Sequence, residues 1–121
     1  MSSSQAVLLF SQDLLISSQV TGVARQLGIE IDVIGSTQQL AERSQMKDYR
    51  ALFVDLGTNE PIADVVAALP AENNVVIVAY GSHVHTAKLE AARQAGCDEV
   101  MSRGQFSATI AEVLKRYVTP E

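Results

Sequence analysis

A chain of 121 residues is long enough to bury one core and too short for two, so one domain over 1–121 is expected, with residues 1–5 as a flexible lead. Its 47% hydrophobic and 19% charged residues exclude a disordered chain, and a net charge of −5 gives no electrostatic attraction to nucleic acid or anionic lipid. No apolar run approaches the ~20 residues of a membrane-spanning helix, no export signal opens the chain, and the one cysteine, Cys97, cannot form an internal disulfide, which points to the cytoplasm.

The apolar run Ala6 to Phe10 reads as a strand covered on both faces. From Leu14 the spacing becomes helical, with Ile16, Val20, Val23, Ala24 and Leu27 on one face, and Gly28 offers a left-handed cap. Ile29 to Ile34 alternates with Glu30 and Asp32, as at a sheet edge. Ser36 or Thr37 caps a helix reaching about Lys47. Ala51 to Val54 is a short buried strand that ends at Asp55, and Leu56-Gly57-Thr58-Asn59 has the composition of a loop. Pro61 suits the first turn of a helix carrying Ile62, Val65, Val66 and Leu69, with Pro70 as its stop. Val75 to Ala79 is the next strand, followed by a loop over Tyr80-Gly81-Ser82-His83, a helix from His85 to Ala95 capped by Gly96, and a short strand over Glu99 to Met101. One final helix carries Phe106, Ile110, Val113, Leu114 and Tyr117, and Thr119-Pro120-Glu121 leaves no room for an output domain.

Strand and helix alternate five times through short connections, the pattern of a doubly wound α/β fold with a parallel sheet. Ligands of such sheets bind at the carboxyl ends of the strands, where the strand order reverses. That switch point collects Ser11, Gln12 and Asp13 after the first strand, Asp55 after the third, Gly81 and Ser82 after the fourth, and Arg103 after the fifth.

The element order, Asp55 at the end of strand three, and Gln94-Ala95-Gly96 before strand five resemble the receiver domain of response regulators, over nearly the whole chain. The resemblance implies a flavodoxin-like five-stranded sheet in the order 2-1-3-4-5. It also implies phosphoryl acceptance at Asp55, with an acidic pair after strand one to hold magnesium, a strand-four Ser or Thr and a strand-five Lys. The matching positions depart from that pattern. Ser11 and Gln12 replace the acidic pair, and Asp13 falls one residue late. Gly81 takes the Ser/Thr position, leaving Ser82 as the nearest hydroxyl, while Arg103 replaces the Lys and Gly104 the usual Pro.

Magnesium prefers carboxylate oxygens in near-octahedral geometry, and phosphoryl transfer relies on its charge. The expectation is therefore a stand-alone, non-enzymatic pseudo-receiver that works by protein contact without phosphorylation and with no cofactor. On this reading Asp55 pairs with Arg103 and locks the loops, and the partner, a sensor kinase, a downstream effector or a second copy, meets the face of strands four and five with Tyr80 and Phe106. One alternative is a live receiver that accepts a phosphoryl group on Asp55 with magnesium, using Asp13 and Asp55. Another is a flavodoxin-like binder of a small ligand or metal through His83 and His85, helped by Asp13 and Asp55. The acidic neighbours Asp98 and Glu99 disfavour a Cys97 thiolate, and neither a nucleophile elbow nor a phosphate loop is present.

Overall fold

The computed structural model describes residues 6–71 and 74–118. The expected lead over residues 1–5 and the end at 119–121 lie outside them. Five parallel strands form one sheet in the order β2-β1-β3-β4-β5: β1 (Ala6–Phe10), β2 (Glu30–Ile34), β3 (Ala51–Asp55), β4 (Val76–Gly81) and β5 (Glu99–Ser102). The connecting helices are α1 (Leu14–Leu27), α2 (Thr37–Met46), α3 (Ile62–Ala67) and α4 (Thr86–Gln94). After β5 come α5 (Arg103–Ala108) and α6 (Ile110–Tyr117). The expected fold class and strand order hold.

Every residue of β1 and β3 is buried, as two-sided cover requires, and the pleat sends alternate side chains to two cores. Val7, Leu9, Phe53, Val78 and Tyr80 pack with Ile16, Val20, Phe106 and Val113 on the side of α1, α5 and α6. Leu8, Phe10, Leu52, Val54 and Ala79 pack with Leu40, Ile62, Val65 and Ala92 on the side of α2, α3 and α4. Truncating a ring such as Phe53 in this environment costs about 3–5 kcal/mol.

Helix α1 starts where Asp13 Oδ1 accepts from the Leu15 and Ile16 amides at 2.9 and 3.4 Å. It ends at Gly28, whose φ of +74° suits glycine. Edge strand β2 is blunted by charge, with Lys47 and Arg43 paired to Asp32 and Lys47 also to Glu30.

Beyond shifts of one residue at several ends, three boundaries differ from the sequence reading. Helix α3 ends at Ala67, although Leu69 beyond it is still buried. Tyr80 and Gly81 belong to β4 and not to a loop, because β3 extends to Asp55 and pairs with Tyr80. The single final helix is two, broken at Thr109 (φ −128°, ψ 27°), whose hydroxyl donates back to the Gln105 carbonyl at 2.7 Å.

Candidate functional site

Asp55 ends β3 on the central part of the sheet and is 3% exposed. Burying a carboxylate is costly unless its oxygens are satisfied, and here both are. Ser11 Oγ donates to Oδ2 at 3.0 Å, and the Gly57 amide donates to Oδ1 at 2.8 Å. Gly57 permits that approach, since a Cβ there would stand 3.0 Å from Oδ1. Ser11 is itself buried beyond β1, with its amide on the Ile34 carbonyl and its Oγ accepting from the Asp13 amide at 3.0 Å. Asp55 is therefore not a solvated strand end but the centre of a closed polar knot.

The expected Asp55–Arg103 pair does not form. Arg103, at the start of α5, hydrogen-bonds and ion-pairs with Asp13 at the start of α1. Asp13, held at the surface as a helix cap, presents its second oxygen to the guanidinium, whereas the Asp55 oxygens are taken. The Arg103 hydrogen bond holds the Asp13 carboxyl below its usual value, and the same bond raises Arg103.

The remaining switch-point residues turn elsewhere. Gln12 is exposed and its side-chain amide donates to the Gly35 carbonyl at 3.0 Å. A Cβ on Gly81 would sit 3.1 Å from Leu56 Cβ, so the buried Leu56 takes the space a Ser or Thr side chain needs. Ser82 Oγ accepts from the Val84 amide within its own loop.

Tyr80 and Phe106, expected on a partner face, are both fully buried and stack on each other at 4.1 Å and 3°. This corrects that expectation: β4 runs on through Tyr80, and the pleat turns its ring inward. Burial, reinforced by the nearby Asp55 charge, pushes the Tyr80 phenol far above its ordinary value. Ser11 pulls the other way, yet its hydroxyl is committed to Asp55, and the Tyr80 hydroxyl has no hydrogen-bond partner among the described residues.

His83 and His85 are exposed, and His85 precedes α4 without a side-chain cap bond. Among the described residues no group of three or more His, Cys, Asp or Glu side chains is placed to hold a metal ion. The donors left at the switch point fit magnesium poorly: one hydroxyl that donates to Asp55, one carboxylate engaged twice, and one paired with arginine. Cys97 is half-buried, and burial together with Asp98 pushes its thiol up to about 11, which suits a packing residue better than a nucleophile.

Sequence reasoning named Ser11 as a replacement without finding that it occupies Asp55. It passed over Leu56 and Lys88, whose Nζ donates to the Leu56 carbonyl at 3.2 Å. A leucine directly after a strand-end aspartate was the available signal.

No family model and no curated protein matches this chain. Solved structures do. A response regulator from Hahella chejuensis superimposes with a TM-score of 0.82 at 16% identity, covering 96% of each chain. The receiver domain of a sensor histidine kinase from Pseudomonas aeruginosa, with a magnesium ion coordinated in its active-site cleft, gives 0.78 at 18%, covering 95% of this chain and 98% of that one. A CheY-like protein, TadZ, from the same organism gives 0.71 at 18%, covering 93% and 98%. The fold is that of receiver domains.

Proposed function

We propose that this chain is a receiver-like signalling module that acts by protein contact and does not depend on phosphorylation. The observation that carries the reading is the Ser11–Asp55 hydrogen bond at 3.0 Å. It places a neutral donor where the resemblance calls for an acidic metal ligand, and it occupies the carboxylate that would be the phosphoryl acceptor. Phosphoryl transfer is accelerated by positioning and by cationic charge on the phosphoryl oxygens. Arg103 keeps a cation nearby, but its planar fork is matched to Asp13. The loops that a receiver would switch are tied instead by Ser11–Asp55, Asp13–Arg103 and Lys88–Leu56.

The partner is a protein, a sensor kinase or a downstream effector, met in the cytoplasm. With Tyr80 and Phe106 in the core, the apolar groups offered at the carboxyl end of the sheet are Leu14 and Leu15 on the first turn of α1 and Val84 before α4, all well exposed. No helix among the described residues is long and apolar enough to cross a membrane.

The test is intact mass after incubation with acetyl phosphate and magnesium. The expected result is an unchanged mass. A gain of one phosphoryl group that disappears in Asp55→Asn would make the chain a working receiver and end this reading.

A further inference from the structure

A cavity of about 720 Å³ opens between α3 and α4, on the far side of the Leu56–Thr58 turn from Ser11. Its volume falls within the range of small-molecule sites, ~300–1,000 Å³. Ile62 and Ala63 of α3, Ala87 and Ala91 of α4, and Ala95 at the C-cap of α4 line it. The three alanines recur every fourth residue, so they share one helix face, and their small side chains leave the space open.

Small residues alone do not make a site, but two polar groups in the same wall are left wanting. Thr58 is 7% exposed, and its Oγ1 is buried with no hydrogen-bond partner among the described residues. Buried hydroxyls in folded proteins are almost always paired, so an orphan that lines a cavity needs an explanation. Lys88 also lines it. An ammonium carries three donors, and the contact described for Lys88 uses one, to the Leu56 carbonyl; no carboxylate of the described residues pairs with it. Glu60, the acidic residue of the lining, is committed through Oε2 to the Thr37 amide at 3.1 Å.

We infer that the α3–α4 cavity binds a small monocarboxylate with an apolar body. The body lies against Ile62 and the alanine face, while the carboxylate takes the spare donors of Lys88 and, after rotation of its side chain, the Thr58 hydroxyl. The lining carries one side chain of each charge; the Glu60 carboxylate is engaged by the Thr37 amide, whereas the Lys88 ammonium keeps donors to spare that a carboxylate can take. A carboxylate on the spare donors of Lys88 sits beside the Leu56 carbonyl that the same ammonium holds, which links the ligand to the turn after Asp55. This site is separate from His83 and His85 and does not depend on whether Asp55 is phosphorylated.

The experiment is amide NMR of the whole chain titrated with octanoate and 4-phenylbutyrate, with octanol as the uncharged control. The expected result is saturable shifts for at least one acid, centred on Leu56, Thr58, Lys88 and Ala91. Lys88→Gln should weaken the acid roughly tenfold, as loss of one charged hydrogen bond does, and leave octanol unchanged. Ala91→Phe should abolish both while the melting temperature is retained, and Thr58→Val, which does not alter the size of the cavity, should weaken the acid a few-fold. No saturable shift with either acid, shifts confined to Leu14, Leu15 and Val84, or an affinity unchanged in Lys88→Gln and Ala91→Phe would each overturn the assignment.

Discussion

The two sides of the short turn after β3 contrast in how their polar groups are settled. On the Ser11 side both Asp55 oxygens and the Ser11 hydroxyl have protein partners, the Tyr80 hydroxyl alone is left unpaired among the described residues, and the packing is close enough to favour glycine at position 57. On the α4 side, three residues further on, a threonine hydroxyl is orphaned beside open space and a lysine has donors to spare. A buried polar cluster that satisfies itself has no need of a ligand, whereas an unsatisfied one beside a cavity does. The place where the fold usually carries chemistry is here the one that is closed.

The comparison breaks most forcefully at Ser11. Ser11→Asp replaces the donor to Asp55 with a second carboxyl, and two buried carboxylates that close cannot both ionise. Urea unfolding should show a loss of about 3 kcal/mol near neutral pH, the scale of an uncompensated buried charge. The new carboxyl's folded pKa is raised, so the loss should be smallest below the ordinary aspartate value of ~3.9 and grow as pH rises through the folded value. Magnesium should restore part of the stability in this variant and none in the parent.

Gly81→Thr tests the other half of the closed side. A Cβ at 3.1 Å from Leu56 Cβ is overpacking, worth about 1–3 kcal/mol. Leu56→Ala should be costly alone and should cancel much of the penalty when combined with it. A purely additive double variant would mean that the two residues do not compete for the same space.

Tyr80→Phe removes a buried hydroxyl that has no partner, so thermal melting should show a gain or no change, within about 1 kcal/mol. A clear loss would reveal a hydrogen bond to the Ser11–Asp55 knot and enlarge the closed side.

The smallest effect is expected at Asp13. Its ion pair lies at the surface, where salt and solvent weaken it. Because Arg103 depresses the Asp13 carboxyl, the contribution of the pair is present above the unfolded value of 3.8 and fades as pH falls through the lower folded value. Asp13→Asn should therefore lower the melting temperature slightly at pH 7, less in high salt, and less as the pH falls toward 2. An equal loss at both pH values would show that the charge of Asp13 is not what stabilises the fold.

The fold was legible because its signals are local. Continuous apolar runs such as Ala6 to Phe10, a helical face ending at Gly28, and Pro61 ahead of a helix each report a few neighbouring residues. What was hidden depends on distance in the chain. The Gly81-Ser82 that follows Tyr80 reads as a loop, yet pairing with Asp55 across the sheet carries the strand through Tyr80. Phe106 sits on a helical face that no pattern could assign to core or partner until Tyr80 was placed beneath it. The choice of Arg103 between Asp55 and Asp13 turned on Ser11, 44 residues from Asp55 in sequence, whose hydroxyl had already taken the buried carboxylate.

The central claim is that the Asp55 end of the sheet is closed to magnesium, and a magnesium titration of the parent protein followed at the amides of Ser11, Asp13 and Gly57 tests it most directly. The expected result is the absence of any saturable shift at these three positions. Saturable shifts at all three, lost in Asp55→Asn, would mean that Ser11 releases the carboxylate to a cation and that the site is a working receiver centre after all.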